Sequence, residues 1–263
     1  MIHLRSDDEV ALLRENALLV SKTLAEVGKR IAPGVTTREL DRLAETYIRD
    51  HGAIPVFLNY NGFPNALCLS VNDVVVHGIP SDYRLKEGDI VSVDCGTYYK
   101  GYCGDSAYTF AVGEVDAAAR QLMRVTKESL FKGIEQAIVG NRIGDIASAV
   151  QSHVEQFHYG VVREMTGHAL GRRLHEKPDV PNYGHRGNGK RLQNGMVICI
   201  EPMINEGTQE VFFDNDGWTL HTKDGKRSAH YELTVVVRKG QAEVLSTFAF
   251  IEQEMAEEHP PVE

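Results

Sequence analysis

Apolar positions at the start of the chain recur at helical spacing. Val10, Leu13, Ala17, Val20, Leu24, Val27 and Ile31 follow one another in three- and four-residue steps. They form one stripe on a long helix. Ser6-Asp7-Asp8-Glu9 is a capping box in front of it, and Pro33-Gly34 is its expected stop. Thr36-Thr37-Arg38-Glu39 is a second capping box. Leu40, Leu43, Tyr47 and Ile48 line the helix behind it, which should end near Gly52. Short apolar segments separated by Gly, Pro and Asn then predict strands at 66–71, 74–77, 90–95 and 102–112. Helical spacing returns near Asp116 with Leu122, Val125, Leu130, Ile134 and Ile138. After the Gly140-Asn141 break it resumes with Ile146, Ala149, Val150, Val154 and Phe157. Strands are predicted again at 161–168, 196–204, 210–213 and 230–238.

The order is helix, helix, strands, and then the same again. This predicts an α+β fold of two similar halves, about 1–115 and 116–250, within a single domain over 1–263. A cleft between the halves is the natural place for a site. Residues 251–263 are acidic and contain Pro260-Pro261, which reads as a frayed tail.

Charge and cysteine content narrow the function. Asp and Glu number 37 against 28 Lys and Arg, a formal charge of −9, so direct nucleic-acid binding is not expected. The N-terminal segment carries charges where a secretory signal would have an apolar core. The chain has no apolar run of roughly 18 residues, so no membrane contact is expected. Cys68, Cys95, Cys103 and Cys199 include no C-x-x-C pair and read as buried thiols in a reducing, cytoplasmic setting.

The informative feature is single acids inside apolar strands: Asp94 in Ile90–Cys95, Glu201 after Met196–Ile200, and Glu232 in His230–Val235. Acids are poor strand formers and are rarely buried unpaired. Three in one chain suggest a common partner. Asp105 is the fourth. With a turn centred on Tyr99-Lys100, Asp94 and Asp105 would face each other across a hairpin, with Cβ atoms about 5 Å apart. Two bare carboxylates there repel by roughly 3 kcal/mol at an effective dielectric near 20. A cation or a shared proton removes that cost. Neither arm holds a Lys or Arg beyond Lys100 at the tip, so a metal is the simplest answer, and four oxygen donors suit Mn, Fe(II), Co or Zn. The best imidazole complement lies in Gly167-His168-Ala169-Leu170-Gly171-Arg172-Arg173-Leu174-His175.

These segments resemble type I methionine aminopeptidases, a peptidase family of the creatinase or pita-bread fold. The likeness runs from roughly residue 6 to residue 245. It includes N-G-F-P at 61–64, S-V-N-D-V-V-V-H-G-I-P at 70–80, G-D-I-V-S-V-D at 88–94 and G-Y-C-G-D-S-A at 101–107. It continues through V-V-R-E-M-T-G-H at 161–168, G-M-V-I-C-I-E-P at 195–202 and S-A-H-Y-E-L-T at 228–234.

The resemblance implies two divalent ions (Co, Mn, Fe(II) or Zn) held by Asp94, Asp105, His168, Glu201 and Glu232. Asp105 and Glu232 would bridge both ions, Asp94 would hold one, and His168 and Glu201 the other. It implies removal of the N-terminal methionine from nascent chains when the second residue is small. A metal-bridged hydroxide would attack the scissile carbonyl, with Glu201 as general base. His77 and His175 would be catalytic and contact the substrate. Tyr60, Phe63, Cys68, Leu174 and Trp218 would line the methionine pocket. The expected enzyme is a cytoplasmic monomer working near the ribosome.

Some positions depart from the family pattern. Ala169 and Arg173 stand where the family usually has glycine, and Leu174 where it has phenylalanine. Phe57 replaces a cysteine and Phe63 a tyrosine. These bear on pocket shape. The 33 residues from His168 to Glu201 leave no room for the helical insertion of type II enzymes, and a single-module enzyme without a zinc-finger extension is expected.

Two alternatives remain at this point. One is a proline-specific peptidase of the same fold, which usually carries a large extra N-terminal domain. The other is a metal-free binding protein of that fold. A paired-carboxylate glycosidase is more distant, having no need of His168 or the later strand acids. His230 is expected to be an ordinary histidine. Gly184–Arg191 mimics a phosphate loop, but Arg191 stands at the hydroxyl position and no strand is expected before it, so it reads as a solvated loop.

Overall fold

The computed structural model describes residues 2–258. The helices are α1 (Asp7–Gly28), α2 (Thr37–Asp50), α3 (Ala117–Glu135), α4 (Ile143–Val154) and α5 (Ala249–Glu258). The strands of the first part are β1 (Ile54–Pro55), β2 (Leu67–Val71), β3 (Val74–Val76), β4 (Ile90–Tyr99) and β5 (Tyr102–Ala111). Those that follow are β6 (Gly160–Val161), β7 (Gly167–Ala169), β8 (Glu176–Val180), β9 (Val197–Ile200) and β10 (Met203–Asn205). The last are β11 (Val211–Phe213), β12 (Leu220–Thr222), β13 (Ser228–His230), β14 (Leu233–Val236) and β15 (Glu243–Val244).

Both predicted capping boxes form, at Ser6 and Glu9 and at Thr36 and Glu39. Asp116 caps α3 by accepting from the Ala119 amide. The stripe of α1 is buried from Val10 to Val27. The helix stops earlier than Pro33, because the Arg30 and Ile31 amides turn to the Val27 and Gly28 carbonyls. Gly28 allows this close packing, since a Cβ there would lie 2.7 Å from the Phe110 ring. Likewise α3 ends at Glu135, short of Ile138, which instead bridges Arg238. The acidic tail is also corrected. Residues 249–258 form α5, which packs on α1 and is anchored by buried Ile251; residues 259–263 lie outside the described part.

All strand pairs within the sheets are antiparallel. β4 pairs with β5 along its length and with β2 and β1 elsewhere. A five-stranded sheet runs β15-β14-β9-β7-β8, and two three-stranded sheets run β13-β10-β6 and β11-β12-β3. The helices pack on these sheets, α1 over β4 and β5, and α3 against α4 and β13. β5 and the segment around Glu232 join two of the sheets. Ala107 and Glu232 exchange backbone hydrogen bonds, 3.4 and 2.9 Å, and the Thr234 hydroxyl donates to the Asp105 carbonyl.

Three predicted strands are broken. Residues 161–168 divide into β6 and β7, residues 196–204 into β9 and β10, and residues 230–238 into the end of β13 and β14. In each case the chain changes sheets. Glu201 falls in the second break and Glu232 in the third. The Gly184–Arg191 loop is largely exposed and no helix follows it, although β8 does precede it, contrary to the expectation from Pro178.

Candidate metal and substrate site

The β4–β5 hairpin turns at Lys100-Gly101, both with positive φ, at 50° and 85°. Such a turn suits the twist of the flanking strands. It shifts the expected register. Asp94 faces Ala107, and Asp105 faces Gly96, so the two acids are diagonal neighbours rather than directly opposed. The offset of two positions leaves both on one face of the hairpin.

That face opens into a cavity of about 270 Å³. All the sequence-predicted site residues line it: Asp94, Asp105, His168, Glu201, Glu232, His77, His175, Tyr60, Phe63, Cys68, Leu174 and Trp218. Four acids therefore share one cavity, and among the described residues neither Lys nor Arg lies in its wall.

Asp105, His168 and Glu232 have donor atoms within 4.8 Å of one another, together with Cys199. Glu232 also belongs to a second group with Glu201 and His230. The His168 Nε2 lies 3.6 Å from both Asp105 Oδ2 and Glu201 Oε1. Its Nδ1 is 3.0 Å from the Ala169 carbonyl, which can only accept, so Nδ1 carries the proton. Nε2 is then the free ligand atom, the arrangement expected of a metal-binding imidazole. Asp94 stands slightly apart from these tight groups, on the same cavity wall.

A bound cation would relieve the electrostatics of these acids. Burial, with the charges of Asp105 and Glu201, pushes Asp94 well above the usual carboxylate range. Burial, then Asp105, Glu201 and Asp94, does the same to Glu232. Asp105 is raised by burial although His168 opposes it. Burial pulls His168 down, but Asp105 and Glu201 outweigh it and the net shift is upward. Asp94 Oδ1, Asp105 Oδ1, Glu232 Oε1 and His230 Nε2 are buried without hydrogen-bond partners. Unpaired buried polar atoms are costly. Four converging on one cavity fit a divalent ion bound by oxygen and imidazole donors.

The rest of the wall is built for an apolar guest. The Phe63 and Trp218 rings meet edge to face at 5.3 Å, and Trp218 meets His77 at 6.4 Å. Leu174 and Cys68 are buried beside them. His77 holds a left-handed backbone, φ 59°, which is costly outside glycine. The next residue must be glycine, because a Cβ on Gly78 would lie 2.2 Å from the Leu69 carbonyl oxygen. His77 lies lower than an ordinary histidine because of burial. The Tyr60 hydroxyl is 2.8 Å from His175 Nδ1, and the His175 ring lies 4.3 Å from that of His168. One side of His175 remains open to solvent, yet the cavity walls and His168 push it down to about 4.

Sequence reasoning missed His230. It is 1% exposed, and its Nε2 lies 3.6 Å from Glu201 Oε2. It stands two residues before Glu232, and strand alternation was the available signal. Met165, Thr166 and Met203 also enter the wall unforeseen, from beside the points where strands change sheets.

Comparison with known proteins agrees with this geometry. The model of metallopeptidase family M24 matches residues 11–239. A methionine aminopeptidase of Clostridium acetobutylicum is 49% identical over 94% of this chain and 99% of its own. The crystal structure of methionine aminopeptidase from Rickettsia prowazekii superposes with a TM-score of 0.93 at 40% identity, covering 94% of this chain and all of that one. The Xaa-Pro dipeptidase of Bacillus anthracis superposes at 0.76 with 23% identity, covering 93% of this chain and 62% of that one. At that identity the likeness is one of fold. The architecture is the α+β pita-bread fold, antiparallel strands around a cluster of metal-binding residues with helices outside. The chain belongs to metallopeptidase family M24, among its methionine aminopeptidases.

Proposed function

We propose that this chain removes the N-terminal methionine from nascent polypeptides whose second residue is small. The observation that carries the reading is the joint wall of one cavity: unpaired carboxylates and His168 on one side, and the Phe63–Trp218 pair with Leu174 on the other. Two divalent ions, of Mn, Co, Fe(II) or Zn, would be held by Asp94, Asp105, His168, Glu201 and Glu232. Glu232 has a donor atom in both groups that could hold an ion, which supports a place for it among the ligands. When bound, such ions supply Lewis acidity and bring the pKa of water from 15.7 down towards about 7.

The chain's own residues do the rest. Glu201 takes the proton of the attacking water, being at the cavity wall and less enclosed than Asp105 or Glu232. His175 is neutral near pH 7. With the Tyr60 hydroxyl donating to Nδ1, its Nε2–H is left to donate to the developing oxyanion. His77, braced by its fixed backbone, donates to or orients the scissile nitrogen. Tyr60, Phe63, Cys68, Leu174 and Trp218 enclose the thioether side chain and exclude water from it. Four free, buried thiols suit a reducing cytoplasm, and we place the enzyme there as a monomer near the ribosome. No helix of the described residues is long and apolar enough to cross a membrane.

A panel of peptides tests the reading. Met-Ala-Ser and Met-Gly-type peptides should be cleaved to free methionine, and Ala-Pro-type peptides should not. Cleavage of the proline peptides with the methionine peptides inert would replace the reading by a proline-specific peptidase. Within the methionine reading, Trp218→Ala should raise KM for Met-Ala-Ser by about ten-fold, since it removes one wall of the side-chain pocket. An unchanged KM would take Trp218 out of the pocket.

A further inference from the structure

We infer that Arg5 and Glu176 form a buried clamp that positions His175, making Arg5 a positioning residue for the reaction. This rests on the proposed role of His175 in the cavity. Arg5 lies just before α1, 170 residues from the histidine and outside every motif that carries the site.

Leu174 and His175 are carried by a segment without regular structure, Gly171–His175. An irregular segment has no ladder to hold it, so its side chains are only as well placed as its local anchors. The anchor here is Glu176. Its Oε1 accepts the amides of Arg172, at 3.0 Å, and Arg173, at 3.3 Å. Its Oε2 accepts from Arg5 Nη2 at 2.5 Å. The two side chains are 6% and 5% exposed, so the pair is enclosed. Arg5 is itself fixed by its amide, which donates to the Gly195 carbonyl at 2.8 Å.

The segment is wrapped directly on the guanidinium. A Cβ on Gly171 would lie 1.8 Å from Arg5 Nη2 and 2.8 Å from Glu176 Oε1. The Gly171 carbonyl in turn accepts from the Cys103 amide at 2.8 Å, which ties the segment to β5 two residues from Asp105. The clamp thus connects the start of α1, the hairpin that carries Asp105, and the segment on both sides of His175. A buried charge left without its partner is strongly unfavourable. Removing either member should therefore release the segment.

The test uses the full chain, first metal-free and then in turnover. Arg172 and Arg173 are exposed trypsin sites within the clamped segment. Cutting there requires local opening. In the metal-free protein, Arg5→Met should speed tryptic cleavage after Arg172 or Arg173 by about ten-fold relative to other sites, as read by mass spectrometry. Arg5→Lys should restore most of the protection, because it keeps a cation for Glu176. In turnover, Arg5→Met should lower kcat on Met-Ala-Ser by about ten-fold or more, with a smaller rise in KM because Leu174 shares the released segment. That penalty should vanish in the His175→Ala background, because the residue it positions is gone.

Unchanged cleavage in the segment would overturn the clamp. So would a kcat penalty that persists in full without His175, or a rise in cleavage over the whole chain. If His175→Ala alone kept full activity while the segment was still released in Arg5→Met, the clamp would stand and the catalytic role of His175 would fall. Should Arg5→Met not fold, Glu176→Gln makes the same prediction with a smaller change in volume.

Discussion

Asp105→Asn is expected to lower kcat/KM on Met-Ala-Ser by about 1,000-fold, some 4 kcal/mol of barrier. The residue stands where β5 meets the segment around Glu232, with His168 Nε2 3.6 Å away. Asparagine nearly preserves its shape and one carbonyl oxygen, so packing is little disturbed. What is lost is a negative charge facing Asp94, Glu201, Glu232 and the free nitrogen of His168. The same substitution should have the opposite effect on stability when metal is absent. Its carboxylate is buried among others, and burial already holds Asp94, Asp105 and Glu232 above the usual range. Removing one of the acids relieves repulsion and desolvation together. The metal-free variant should melt about 2–4 °C above the metal-free wild type. Steady-state kinetics and calorimetry on the same two proteins check both signs. A variant that is less active and also less stable without metal would point to a packing defect.

The second large effect is expected at His175. His175→Ala should lower kcat by about 100- to 1,000-fold, with KM changed little. The argument is geometric. The imidazole enters the cavity beside His168, and the Tyr60 hydroxyl fixes its orientation through Nδ1. It remains neutral at working pH, so it offers a hydrogen-bond donor without adding a charge near the cation site. A donor aimed at charge that develops only during reaction acts on the barrier and not on ground-state binding. Tyr60→Phe should show a smaller loss in the same parameter, because the ring remains and only its orientation is relaxed. An effect confined to KM in both variants would make His175 a binding residue only.

The helices and the site could be read from the sequence for different reasons. Capping boxes and apolar stripes act locally, so α1 to α4 were legible, with ends displaced where main-chain turns competed with the helix. The acids were legible because Asp94, Glu201 and Glu232 stand in apolar runs where a lone charge is costly. Four features were hidden. The β4–β5 register depended on whether the turn centred on Lys100-Gly101 or one position earlier, and alternation is the same for both. The breaks at Glu201 and Glu232 were hidden because apolar residues continue on both sides while the chain passes from one sheet to another. The α5 helix was hidden because its acidic composition outweighs one buried anchor, Ile251. His230 was overlooked because a histidine at a strand end has no distinctive local signature. Its meaning comes from Glu201, which is adjacent only in the fold.

Metal reloading tests the central claim most directly. The protein is stripped with a chelator and methionine release from Met-Ala-Ser is followed as Mn, Co, Fe(II) or Zn is added back in steps, with bound metal counted in parallel. The account predicts negligible release from the stripped protein and recovery with at least one of these ions, saturating as two sites fill in the wild type. It predicts no comparable recovery in Asp105→Asn. Full methionine release from stripped protein, or equal recovery in Asp105→Asn, would contradict it.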